Sequence, residues 1–229
     1  MAQVTGIPIT QRIWSVALSL TLAATVAGCG VASGATAAPT AVPTATTIPT
    51  PIPTPTIAPT PMPKPTFFDP LTANKHGWPI TPGHCEFANG GYQVKAGLCA
   101  LRFFYAENGA ISVDVKATAG STMNGYGILF RATQGNFYQF AVVPQGDWVF
   151  VVVVKGDGSV VDSKTDLAIK PGFNAVNRLM VTFHRSHFEF FVNGVKVGEY
   201  DDRSLTNGVI GVTAGPDGTA VFNNFAYYE

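Results

Sequence analysis

The sequence predicts an all-β sandwich domain, and three observations lead there. From Phe67 onward, no long stretch carries an apolar period of 3.6 residues. Short runs rich in Val, Ile, Phe and Tyr are separated instead by Gly, Asn, Asp and Pro. Nine or more such runs reach strand length, which is what a sandwich or closed barrel needs. The expected strands are 111–117, 126–131, 137–143, 148–154, 179–183, 188–192, 195–199, 209–213 and 220–225, with several weaker ones between Cys85 and Phe104.

The 229 residues do not all belong to that domain. Arg12 is the only charge before Lys64, and an apolar run from Ile13 to Ala27 follows it. The run is shorter, and richer in Ala, Ser and Thr, than the ~20 apolar residues a spanning helix needs, so it reads as a signal-peptide core. It closes in Val26-Ala27-Gly28-Cys29-Gly30. That closure resembles the bacterial lipobox, an aliphatic and two small residues before a cysteine. The resemblance implies cleavage after Gly28 and a diacylglyceryl thioether on Cys29. Residues 1–28 are therefore expected to be a lipoprotein signal peptide. The expected address is the outer face of the cell membrane, with membrane lipid as a partner through Cys29.

Residues 29–66 are expected to be the lipidated Cys29 and a disordered Thr/Pro-rich linker. Between 39 and 66 stand ten Pro and nine Thr. Proline removes backbone donors, and little apolar surface is present to bury, so extended polyproline II is favoured. At 3.1 Å per residue such a tether reaches at most on the order of 85 Å. Its threonines are candidate O-glycosylation sites.

Residues 67–229 form the expected globular unit, large enough for a core of its own. The hairpin of 126–131 and 137–143, turning through Ala132–Asn136, fixes one face. If Arg131 stands opposite Phe137, then Ile128 and Phe130 share a face with Tyr138, Phe140 and Val142, all apolar or aromatic. The opposite face carries Gly127, Leu129, Arg131, Phe137, Gln139 and Ala141, for solvent or a ligand. Leu179, Val181 and Phe183 alternate with polar residues and continue across His184–His187 into Phe188, Phe190 and Val192. Asn193-Gly194 then supplies a type I′ hairpin turn. Cys85 and Cys99 lie in an exported segment and are expected to form a disulfide.

The C-terminal half carries a family likeness. Asn177-Arg178-Leu179-Met180-Val181, Phe190-Phe191-Val192-Asn193-Gly194, Gly208-Val209-Ile210-Gly211 and Val221-Phe222-Asn223-Asn224-Phe225, together with Gly127-Ile128-Leu129-Phe130-Arg131, resemble the concanavalin A-like lectin/glucanase superfamily. The nearest look is to laminin G-like and 3-keto-disaccharide hydrolase-like domains. The resemblance implies a jelly roll of two antiparallel sheets, with a curved face that often meets glycans.

The chemistry-bearing residues are few. Fourteen basic and fourteen acidic residues cancel, and no Lys/Arg cluster marks a nucleic-acid partner. The Glu-X-Asp-X-Glu strand that the resemblance implies for a glucanase is missing; Asp114 and Glu189 each stand alone in a strand. Asp201-Asp202 reads as a strand end. His184 and His187 offer only two ligands, Asp157-Gly158 and Asp217-Gly218 read as turns, and no cofactor or metal is expected. A glycan ligand is expected on the outward patch Arg131, Phe137 and Gln139. Trp148 is a further candidate, with a core position as its alternative because both faces of its strand read apolar. The expected function is a cell-surface lipoprotein displaying a non-catalytic module for carbohydrate. The alternatives are a glycoside hydrolase-like enzyme for (3-keto) disaccharides and a structural or protein-interaction domain.

Overall fold

The computed structural model describes residues 64–229; the expected signal peptide, Cys29 and the linker as far as residue 63 lie outside them. Every helix or strand among the described residues is a strand. There are twelve: β1 (Phe67–Asp69), β2 (Cys85–Ala88), β3 (Gly91–Ala106), β4 (Gly109–Ala119), β5 (Tyr126–Thr133), β6 (Asn136–Val142), β7 (Asp147–Val154), β8 (Asp157–Thr165), β9 (Val176–His184), β10 (His187–Val192), β11 (Val195–Asp201) and β12 (Gly208–Tyr228). All pairings between them are antiparallel.

Two sheets share two long strands. The first sheet runs β11-β10-β9-β4-β12 and continues into β3 and β2, with β1 beside the end of β12. The second runs β8-β7-β6-β5-β12 and ends on β3. β12 uses Gly208–Ala214 in the second sheet and Thr219–Tyr228 in the first. β3 kinks at Ala96 and Gly97, both at positive φ, where it too changes sheets. Asp217-Gly218, expected as a turn, therefore lies inside a continuous strand. Asp157-Gly158 likewise opens β8; the turn sits two residues earlier, at Lys155-Gly156, where φ is 54° and 86°.

The core fills the space between the sheets. Ile128 pairs with Phe140 and Phe130 with Tyr138, the register expected from the hairpin. Their rings meet residues of the first sheet: Phe130 lies 5.4 Å from Phe183, and Phe140 and Phe150 each 4.8 Å from Phe190. Such contacts add to area burial through offset and edge-on ring packing. Asn193 and Gly194 both have positive φ, as a type I′ turn requires. Cys85 and Cys99 form the expected disulfide, with Cα atoms 6.2 Å apart, tying β2 to β3.

Candidate functional site

The strongest candidate lies at one end of the sandwich, where three connections meet around Arg131. β5 carries a bulge after Phe130, and Arg131 sits there at φ 48°. The extra residue rotates its side chain from the outer face to the inner one. Arg131 is therefore 1% exposed, and its placement on the outward patch is corrected. Its guanidinium donates to three backbone carbonyls: Leu205 at 2.8 Å, Glu107 at 2.8 Å and Arg185 at 2.5 Å. It also lies over the Phe188 and Phe183 rings, at 5.1 and 5.7 Å. Burial draws the guanidinium below its ordinary value, and nearby Tyr138, Glu107 and Asp202 oppose that pull. One planar fork thus pins the β3–β4, β9–β10 and β11–β12 connections together.

Neighbouring groups tighten the same end. Tyr138 donates its hydroxyl hydrogen to Asp202 at 2.5 Å and accepts from the Leu205 amide at 2.8 Å. Burial first, then the bond to Asp202, raises the Tyr138 phenol well above its usual value. Asn108 accepts from the Arg185 amide at 2.7 Å, and its carbonyl accepts from Tyr227 at 2.6 Å.

Two grooves open on this pinned scaffold. One, of about 500 Å³, is lined by Tyr105, Asn108, Thr182 and His184 among others. The other, of about 360 Å³, is lined by Arg185, Ser186, Asp202, Arg203 and Thr206. Glu107 borders both. Tyr105 is 70% exposed, a ring face open to stacking. Beside it stand amide, hydroxyl, imidazole, carboxylate and guanidinium groups able to bond ligand hydroxyls.

The other expected residues go elsewhere. Trp148 is 1% exposed and packs in the core against Phe140, Phe190 and the backbone of Gly198, so it takes the core alternative. Phe137 and Gln139 do face outward on the second sheet, half-buried, away from Arg131. Around them that face is apolar: Leu129, Ala141, Val149, Val151 and Val153. The expected patch of three is therefore not assembled. Asp114 is the single acid of β4, and Arg178 and Asn224 bond it at 3.4 and 2.8 Å. Glu189 faces Glu199 across β10 and β11, and Lys196 bonds both carboxylates at 2.6 Å. Sequence reasoning missed Tyr105, Glu107, Asn108, Arg185 and Arg203. The available signals were the His184–His187 turn, weighed only for metal ligands, and Asp201-Asp202, read as a strand end.

No family model matches the chain, and no curated protein does. Solved structures do match. A carbohydrate-binding module of the CBM66 type from Bacillus subtilis is 20% identical, with a TM-score of 0.61 over 70% of this chain and 100% of its own. A Bacillus subtilis protein with a galectin-like fold is 14% identical, with a TM-score of 0.57 over 72% of this chain and 95% of its own. A β-glucanase of Bacillus licheniformis is 11% identical, with a TM-score of 0.51 over 71% of this chain and 97% of its own. Together with the two-sheet topology, these likenesses show that residues 64–229 fold as a concanavalin A-like jelly roll.

Proposed function

We propose that this chain is an exported lipoprotein that holds a non-catalytic carbohydrate-binding sandwich at the outer face of the cell membrane. The observation that carries the binding reading is the groove of about 500 Å³ in which exposed Tyr105 stands beside Asn108, Thr182 and His184. An aromatic platform with a few fixed polar groups suits the two faces of a sugar, its C–H surface and its hydroxyls. The likeness to a carbohydrate-binding module supports the same reading. The lipobox-like Val26-Ala27-Gly28-Cys29 supports the anchor, and the Thr/Pro-rich stretch supports a stalk.

Hydrolysis is the second reading, favoured by the opposed carboxylates Glu189 and Glu199. Retaining glycosidases keep such a pair about 5 Å apart. A general acid, however, needs its pKa raised by burial. Here Lys196, through its hydrogen bond, holds Glu189 below the usual carboxylate range. That pair is built as an ion-pair network, which supports binding over catalysis.

Affinity electrophoresis in gels containing soluble polysaccharides tests the binding reading. At least one polymer should retard the protein, and Tyr105→Ala should weaken that retardation about tenfold, the loss of ~1.4 kcal/mol of stacking. Phe137→Ala should leave it unchanged. Uniform mobility in every polymer would sink the proposal. For the anchor, Cys29→Ser should move the protein from the membrane to the soluble fraction.

A further inference from the structure

The outer face of the first sheet holds a cluster that the carbohydrate reading does not use. His187 and Glu189 are two apart on β10 and point to the same side, as strand alternation requires. Their cross-strand partners on β11 are Asp201 and Glu199. Four metal-ligating side chains thus occupy adjacent places on one sheet face. One ring nitrogen of His187 and one carboxylate oxygen each of Glu189 and Glu199 lie within 4.8 Å of one another.

We infer that His187, Glu189 and Glu199 form a three-ligand site for a zinc-class divalent ion, with Asp201 as the residue that orients the imidazole. The donor set is one nitrogen and two carboxylates, a combination zinc accepts readily and calcium does not need. Tetrahedral zinc at ~2.0 Å from each ligand sets ligand atoms about 3.3 Å apart. The three groups must close by about 1.5 Å at most, within the reach of exposed glutamate rotamers. Asp201 holds Nδ1 of His187 at 3.1 Å. That contact fixes the tautomer in which Nε2 keeps its lone pair, the carboxylate–histidine–metal arrangement. Thr182 donates to the second oxygen of Glu189 at 3.2 Å and steadies it in the same way.

Lys196 already marks the place as a seat for positive charge. Its ammonium bonds Oε1 of Glu189 and Oε2 of Glu199, each at 2.6 Å. It stands on β11, the edge of the sheet, and is exposed, so it is free to swing into water when a divalent ion takes its place. The lysine is then a competitor rather than a ligand. A water completes the fourth position.

Calorimetric titration of the full, tag-free chain with zinc chloride near neutral pH tests this. Cys29→Ser is used as the background, so that no free thiol competes for the ion. The expected result is one zinc per chain, with no heat from calcium chloride. His187→Ala should abolish binding, while His184→Ala, in the same turn, leaves it intact. Asp201→Asn should weaken binding about tenfold or more through the orienting contact. Lys196→Met should tighten it, because the ammonium no longer occupies the two carboxylates. Melting curves of each variant confirm that it is folded. Absence of zinc binding, equal binding of calcium, binding that survives His187→Ala, or an unchanged affinity in Lys196→Met would each overturn the inference.

Discussion

Arg131 shows how much one side chain can organise. Its two terminal nitrogens carry the load, through three carbonyls contributed from 24 to 74 residues away. Hydrogen bonds from a charged donor contribute ~1.5–3 kcal/mol each, and carbonyls left bare in a buried place add a penalty. Arg131→Met should therefore destabilise the domain by about 3–5 kcal/mol, read from denaturant unfolding. Arg131→Lys should not restore it, because an ammonium lacks the planar fork. A loss below about 1 kcal/mol would show that the three connections hold themselves in place.

At the scale of elements, the disulfide and the shared strands matter most. Cys85–Cys99 joins β2 to β3 across a sequence separation of 14. In the chain-entropy account, closing a loop of about 15 residues is worth ~3 kcal/mol. Cys85→Ser should lower the melting temperature by several degrees without altering the fold, seen by circular dichroism. Much of this level was legible in the residues. Alternation placed Ile128, Phe130, Tyr138 and Phe140 on the inner face because period-two burial is a local signal. Asn193-Gly194 announced its turn because its backbone requirement is local too. β8 was missed, since Asp157–Thr165 is an edge strand with polar and exposed residues and no buried stripe. β12 was split in two because Gly215 to Gly218 looks like a turn, yet it only bends a strand between sheets. The bulge that turns Arg131 inward has no local marker, and the grooves form from connections far apart in the chain. The proposed binding end was therefore hidden from any reading of spacing.

For the whole molecule, the tyrosines set an alkaline limit. Tyr92, Tyr126, Tyr138 and Tyr227 are all raised above the ordinary 10.0, with burial the largest cause in each. A raised folded-state pKa means that the folded chain binds the proton more tightly. Its contribution is complete below 10.0 and is lost as pH climbs above it. Melting temperature should thus hold steady from neutrality upward and fall steeply beyond that value. Phenolate absorbance should appear together with unfolding; smooth ionisation of all four in a folded protein would contradict the burial account.

On the proposed function, the pinned loop end, not the apolar outer face of the second sheet, meets carbohydrate. Chemical-shift mapping of the labelled protein with an oligosaccharide of the retarding polymer tests it most directly. Shifts should concentrate on Tyr105, Glu107, Asn108, His184 and Arg185. Shifts centred on Phe137, Gln139 and Val151 would contradict it.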